Sequence, residues 1–253
     1  QVRNDRRCVI LSSIVKVYNN TTMPLIILNI DSVDPKKYHR MAKIDINDEY
    51  YVPIELLYTH SSSPIFISTD ENEHNGEIYD FFSFDWEKEF LSERKLKLKT
   101  GKEANFIVFK EVTNAYSENT DQLDHASFSL YIHPALHLTN LLPVDIQCSI
   151  DNAEQIDLKP SELTLITSGN KQSKLRFIIP SYNNIKWISD SVDLNVEGKG
   201  DHNEHLVILH NSTKPQQILK MVLRVDTFHE SYRLLFYSPF WILNRTELQL
   251  EFQ

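Results

Sequence analysis

Apolar and polar residues alternate with a period of two along most of this chain. Ile14-Val15-Lys16-Val17, Lys95-Leu96-Lys97-Leu98-Lys99, Phe128-Ser129-Leu130-Tyr131-Ile132 and Val192-Asp193-Leu194-Asn195-Val196 show the pattern. The apolar runs Phe106–Phe109, Leu206–Leu209 and Met221–Val225 extend it, filled by β-branched and aromatic residues and bounded by polar, turn-forming segments. Successive strand side chains point to opposite faces, so this periodicity predicts half-buried β-strands. One stretch departs from it. Trp86, Phe90 and Leu91 fall at helical spacing, which predicts a short helix over Asp85–Arg94. The polar insertions Ser68–Gly76 and Tyr116–Asp124 read as loops. The fold class expected is all-β.

The alternation also repeats on a longer scale. Around Asn19, Asn140 and Asn244 the positions at −4, −2, +4, +6 and +8 are all apolar. They are Val15, Val17, Met23, Leu25 and Ile27; then Leu136, Leu138, Val144, Ile146 and Cys148; then Phe240, Ile242, Leu248, Leu250 and Phe252. At 41% hydrophobic content, chance agreement at every position is on the order of one in a million for a fixed alignment. Thr21 and Thr246 also share the +2 slot. Weaker echoes pair Lys43-Ile44-Asp45-Ile46 with Gln155-Ile156-Asp157-Leu158, and Ser63–Ile67 with Lys174–Ile178. The expected organisation is tandem small β-sandwich-like repeats: 1–130, 131–236, and at 237–253 either the opening hairpin of a third repeat or the closing strands of the second. A third repeat cut short would make the chain a piece of a longer protein.

Parity explains why an asparagine recurs. It shares a face with the apolar residues before it, so it points toward the core where the strand ends. Asn tolerates left-handed backbone and its amide both donates and accepts, so one side chain can satisfy the loose groups of a turn. A buried amide without partners costs ~1–3 kcal/mol, so each should be locked into a local network. Asn19, Asn20, Asn211 and Asn244 also stand in Asn-x-Ser/Thr sequons. A corner role for Asn19 and Asn244 competes with glycan attachment there.

Composition narrows the function. A formal charge of −9 disfavours a phosphate backbone as partner, which needs a basic surface. The one basic stretch, Arg94, Lys95, Lys97, Lys99 and Lys102, alternates with Leu96 and Leu98 and reads as the wet face of a strand. Two cysteines, Cys8 and Cys148, suit a reducing compartment, and no apolar run approaches the ~20 residues of a membrane helix. A cytoplasmic setting is expected.

Candidate chemistry is sparse. There is no glycine-rich phosphate loop, no Gly-x-Ser-x-Gly elbow and no His-Glu-x-x-His. His202, Glu204, His205 and His210 cluster in sequence without recognisable ligand spacing, so no metal or cofactor is expected. His133 and His137 flank the second asparagine and read as strand surface. Asp80, Asp85, Glu87 and Glu89 lie among Phe81, Phe82, Phe84 and Trp86; the aromatics read as core, and no catalytic residue is assigned. Two alternatives to a docking scaffold remain: a secreted β-sandwich lectin or adhesin, suggested by the sequons, and a β-rich hydrolase built on the acidic cluster.

Four segments carry a resemblance. Val2–Arg7, Ser13–Thr21, Leu138–Pro143 and Ser238–Thr246 resemble the adaptor-binding repeat region of the chorein (vacuolar protein sorting thirteen) bridge-like lipid-transfer proteins. The similarity is strongest at the three asparagines. In that family each repeat is a small β domain with an asparagine at this corner, which maps onto Asn19, Asn140 and Asn244. The resemblance implies a non-enzymatic module at organelle membranes that captures short Pro-x-Pro segments of adaptors and so positions a lipid-transfer protein at contact sites, without binding lipid itself. Family binding is attributed to the last repeats, whereas Val2–Arg7 resembles the region's start. These repeats then have a mainly structural role, and the resemblance assigns no adaptor-contacting residue.

Overall fold

The computed structural model describes residues 2–3, 6–7, 13–30, 38–54, 64–69, 73–74, 77–114, 126–152, 154–194, 203–228 and 231–240. The structure is nearly all β, as the alternation predicts. The chain forms two compact units: Gln1–Ala135 with Leu165–Asn170, and Leu136–Thr164 with Lys171–Gln253. Two small hairpins, β1 (Val2–Arg3) with β2 (Arg6–Arg7) and β8 (Glu73–His74) with β9 (Glu77–Ile78), form sheets of their own.

Unit one places its remaining strands in two layers. The first has the order β10 (Phe82–Asp85), β7 (Pro64–Thr69), β4 (Leu25–Ile30) and β5 (Tyr38–Ile44). The second runs β11 (Leu91–Lys97), β12 (Glu103–Asn114), β13 (Ala126–Pro134), β3 (Val15–Asn19) and β6 (Glu49–Tyr51). Among the described residues of this unit every pairing is antiparallel except β13 with β3, where the last strand lies parallel to the first. Inward residues of both layers make the core: Val15 and Val17 on β3, Leu25 and Ile27 on β4, Phe84 on β10, Leu96 on β11, and Phe106 and Val108 on β12. Phe82 and Phe106 meet across it with ring centroids 5.8 Å apart.

Unit two repeats the strand order of unit one, with β20 added. Its elements are β14 (Leu136–Asn140), β15 (Ile146–Ile150), β16 (Glu154–Leu158), β17 (Leu163–Ile166, which crosses the division between the units at Leu165), β18 (Lys174–Tyr182), β19 (Ile185–Ser189), β20 (Val192–Asp193), β21 (Asn203–Asn211), β22 (Ile218–Phe228) and β23 (Ser231–Tyr237). They run β16-β15-β18-β19-β21-β22-β23-β14-β17, with β20 on β18. Again the last strand, β23, lies parallel to the first, β14. Here the β19–β21 ladder, in which Trp187 faces Asn211, joins the two halves into one curled sheet. Phe177 on β18 and Phe236 on β23 stack at 4.2 Å and 6° inside the fold. The β18–β19 turn, Asn183-Asn184, has both φ angles positive (53° and 58°), the geometry that matches strand twist in a two-residue hairpin.

Several expectations need correction. No helix occupies Asp85–Arg94: β10 ends at Asp85, and Glu89 N–H bonds Asp85 O at 2.7 Å in a single turn. The Asp85 carboxylate accepts from the N–H groups of Glu87 and Lys88. Trp86 is buried but Phe90 is 63% exposed, so the helical spacing marks no common face. Ser68 and Thr69 are not loop residues; both are buried on β7. The sequence echoes had the wrong register. Ile27 pairs Ile67 and Cys148 pairs Phe177, so Ile67 corresponds to Phe177 rather than Ile178. His133 and His137 are buried, at 6% and 7% exposure, rather than surface. Lys95, Lys97 and Lys99 are exposed and Leu96 and Leu98 buried, as expected of a solvated strand face. The Tyr116–Asp124 insertion lies outside the described residues.

Candidate functional site

Each unit turns its first corner on a fully buried asparagine. Asn19 Nδ2 donates to Met23 O (3.0 Å), Ile44 O (3.0 Å) and Asp45 O (3.1 Å). Its Oδ1 accepts from Thr21 N–H (3.0 Å) and the Thr21 hydroxyl (2.7 Å). Asn140 Nδ2 donates to Val144 O (2.8 Å) and Leu158 O (3.3 Å), and its Oδ1 accepts from Leu142 N–H (3.0 Å). The backbone around them matches bond for bond. Asn19 N–H bonds Asp48 O and Asn140 N–H bonds Glu162 O; Asn47 and Ser161 return bonds of 2.8 Å to the two asparagine carbonyls. Asn47 and Ser161 both sit at φ 61°. The next residue's N–H, of Asn20 or Leu141, reaches the parallel strand at Ile132 O or Phe236 O. Ile44 thus corresponds to Leu158, two residues from the match that sequence similarity suggested. At +4 the half-buried Met23 and Val144 contribute their carbonyls to the corner. Asn244 lies outside the described residues.

A third amide of this kind escaped the sequence reading. Asn211, 2% exposed, accepts at Oδ1 from Thr213 N–H (2.8 Å) and the Thr213 hydroxyl (2.9 Å), and donates to Gln217 Oε1. The signal was present: Asn211-Ser212-Thr213 has the Asn-x-Thr form of Asn19-Asn20-Thr21. With their amides enclosed, Asn19 and Asn211 present no surface to a glycan.

The outward face of unit one's second layer carries a row of rings. Tyr18 stacks on Tyr131 (4.7 Å, 9°), Tyr131 on Phe109 (5.0 Å, 16°), and Phe109 on His133 (5.4 Å, 18°). Asn20 Nδ2 lies 3.2 Å from His133 Nε2. At the other end the Lys16 ammonium sits 4.4 Å from the Tyr51 ring centre and bonds Tyr18 Oη (3.2 Å) and Glu49 (3.3 Å). Tyr51, Tyr18 and Glu49 lift the Lys16 pKa above its ordinary range against the opposing effect of burial. Tyr18, Tyr51 and Lys16 hold the Glu49 carboxyl below its own. The corresponding positions of unit two, aligned on the two asparagines, are Thr139, Leu235, Arg224 and Tyr237. The fold does not require the rings. Sequence reasoning missed this row because its members are outward positions of three strands far apart in the chain.

Other candidates resolve into structure. Burial opposes ionisation of Asp85, but the Lys88 side chain and N–H outweigh it and hold its carboxyl below the ordinary range. Glu89 is ion-paired with Arg94. These carboxylates hold the turn together. Behind it, Lys110 is 8% exposed and donates to Trp86 O (2.7 Å) and Glu87 O (3.4 Å), beneath the Phe128 ring. Glu204 accepts from Tyr237 Oη, and His210 lies by Pro215 O and Asp190. His202 and Cys8 lie outside the described residues, among which no group of His, Cys, Asp and Glu could hold a metal ion. Burial pushes the Cys148 thiol up to about 12. A cavity of about 380 Å³ opens beside the second corner, lined by Leu142, Val144, Tyr182, Met221 and Phe240 among others. Phe240 is 86% exposed, whereas Leu136, at the same place before its asparagine, is fully buried. Among the described residues no helix is long and apolar enough to cross a membrane.

Two units built alike around a buried asparagine, with rings ranged on an outer sheet face, define a tandem β-repeat scaffold. The family model described as vacuolar-sorting associated protein 13, adaptor binding domain, matches residues 2–253, and the chain belongs to that family. No curated relative matches the chain. Membership makes adaptor docking its role.

Proposed function

We propose that the chain is a non-enzymatic docking module that binds proline-containing (Pro-x-Pro) adaptor segments. By doing so it helps target a bridge-like lipid-transfer protein to organelle membrane contact sites. It works in the cytoplasm, peripheral to the membrane, and takes no nucleic acid, cofactor or metal. The asparagines at 19, 140 and 244 hold the corners of the repeats and do not touch the adaptor. The domain plan proposed is two repeats, 1–130 and 131–236, with 237–253 either the opening hairpin of a third or the closing strands of the second.

The observation behind the surface assignment is the row Tyr18–Tyr131–Phe109. Proline-bearing segments are stiff and extended before they bind, and they dock on aromatic side chains at low entropic cost. A row of stacked rings is a rigid counterpart. Its replacement in unit two by Thr139, Leu235 and Arg224 separates it from the needs of the fold. The resemblance attributes capture to later repeats; the row gives these repeats a surface of the same chemistry.

The test exchanges residues between the units. The double variant Tyr18→Thr, Tyr131→Leu installs side chains the same fold already accommodates. A fluorescent Pro-x-Pro peptide titrated into the chain should bind, and the double variant should bind at least about tenfold more weakly, a loss of ~1.4 kcal/mol. Equal affinity for both proteins would remove the row from the site. Absence of binding to the parent chain would place capture in other repeats.

A further inference from the structure

The same sheet face differs in character between the units. Ile132 lies opposite Asn19 and Phe236 opposite Asn140, so Ile107, paired with His133, corresponds to Val222, paired with Tyr237. Following the ladders outward, Glu93, Lys95 and Glu103 of unit one correspond to Leu206, Ile208 and Ile218 of unit two. In unit one these positions are charged, and Lys95 and Glu103 form an ion pair. In unit two they are aliphatic. Leu206 is 58% exposed and Ile218 45%, and half-buried Ile208 and Val222 join them.

One charge stands within this patch. Lys220, directly opposite Ile208, is exposed and has no carboxylate partner among the described residues. At the margin Arg224 pairs with Asp226, and Glu204, cross-strand from Arg224, accepts from the neutral Tyr237 hydroxyl. Among the described residues, the aliphatic positions around Ile208 therefore enclose one cation, Lys220, without a carboxylate partner.

We propose that this face docks an amphipathic helix of a partner protein, its aliphatic stripe on Leu206, Ile208, Ile218 and Val222 and a carboxylate on Lys220. The proposal does not rest on the aromatic row of unit one. β21 pairs β22 from Asn203 to His210 but β19 only at Leu209–Asn211. Ladder hydrogen bonds run in the plane of the sheet and side chains stand out of it, so an occupant lying on the face gains no backbone partner. An occupant must satisfy its own backbone, as a helix does. A helix ~10 Å across covers two strands ~4.8 Å apart. A second copy docking face to face would set Lys220 near Lys220. An anionic membrane would repel a chain of net charge −9.

The test uses the whole chain and a synthetic, end-capped helical peptide of about 16 residues, with leucines at i, i+3, i+4 and i+7 and one glutamate on that face. Titration should give saturable binding, with amide shifts at Leu206, Ile208, Ile218 and Val222. Lys220→Glu should weaken binding about tenfold, and exchanging the peptide's glutamate for lysine should restore it on that variant. Leu206→Glu, which installs unit one's residue at an exposed site, should abolish binding with the melting temperature kept. Four outcomes would overturn the proposal: no saturable binding, shifts centred elsewhere, indifference to Lys220→Glu, or self-association through these residues. Failure of Pro-x-Pro capture at Tyr18 and Tyr131 would leave it standing.

Discussion

Replacing Asn19 tests the corner directly. Its side chain makes five polar contacts with no exposure to water: three carbonyls on Nδ2 and two Thr21 groups on Oδ1. Two amide hydrogens shared over three carbonyls, plus two accepted bonds, amount to about four net hydrogen bonds. At ~1 kcal/mol each, Asn19→Ala should cost ~3–5 kcal/mol, a large fraction of a typical ~5–15 kcal/mol. Asn140 makes three contacts and has leucine where Asn19 has Thr21, so Asn140→Ala should cost ~1–2 kcal/mol less. Asn19→Asp sharpens the test, because it points a carboxylate at three carbonyls. Burial and that repulsion raise the folded pKa above the unfolded value of ~3.9. The favourable protonated form is present below the unfolded pKa and lost as pH rises through the folded one, so the Asp variant's deficit should widen from pH ~4 toward ~7. Urea denaturation read at Trp86 for unit one and Trp187 for unit two, each isolated by changing the other tryptophans to Phe, gives the two values. A cost within ~0.5 kcal/mol of zero for Asn19→Ala, or a deficit flat with pH for Asn19→Asp, would refute the reasoning.

Three further outcomes are expected. Lys110→Ala should destabilise by ~2–4 kcal/mol, because Trp86 O loses a charged donor in a buried setting, and Trp86 emission should shift. Gly101→Ala should cost ~1 kcal/mol through its φ of 83° alone, since a Cβ there meets nothing within 4 Å; a loss above ~3 kcal/mol in thermal unfolding would point to an unseen clash. Cys148, buried with its thiol pushed up to about 12, should resist iodoacetamide at pH 8 in the folded chain and react on unfolding; rapid native labelling would contradict its placement.

How much of this was legible depends on what each residue does. The corner asparagines could be read because parity put a polar group among inward positions, a conflict that only a hydrogen-bonded corner relieves. Asn211 carried the same Asn-x-Thr signal and was missed because it ends β21, late in its unit, rather than the strand that opens a repeat. The echo between Ile44 and Ile156 slipped by two residues, since alternation looks alike at every even shift and only the bonds from Asn19 and Asn140 fix the register. The helix at Asp85–Arg94 failed because Asp85 closes a local turn with its own carboxylate, a preference that outweighs three apolar residues at helical spacing. The aromatic row and the aliphatic patch were invisible in sequence. Each is a property of neighbours brought together by ladders, and the patch stands out only beside the charged positions of unit one.

The parallel pairing of first and last strands sets a timetable for synthesis. Val15–Asn19 emerge from the ribosome long before Phe128–Ile132, their eventual neighbours, so the opening strand of each unit waits with one side unpaired. Only Ala135 then separates β13 from β14, so the stretch that completes the second sheet of one unit delivers the waiting strand of the next. Translation should therefore close each five-stranded layer late, and a ribosome stalled before residue 126 should hold a chain open to proteases and chaperones, however many strands it has already made.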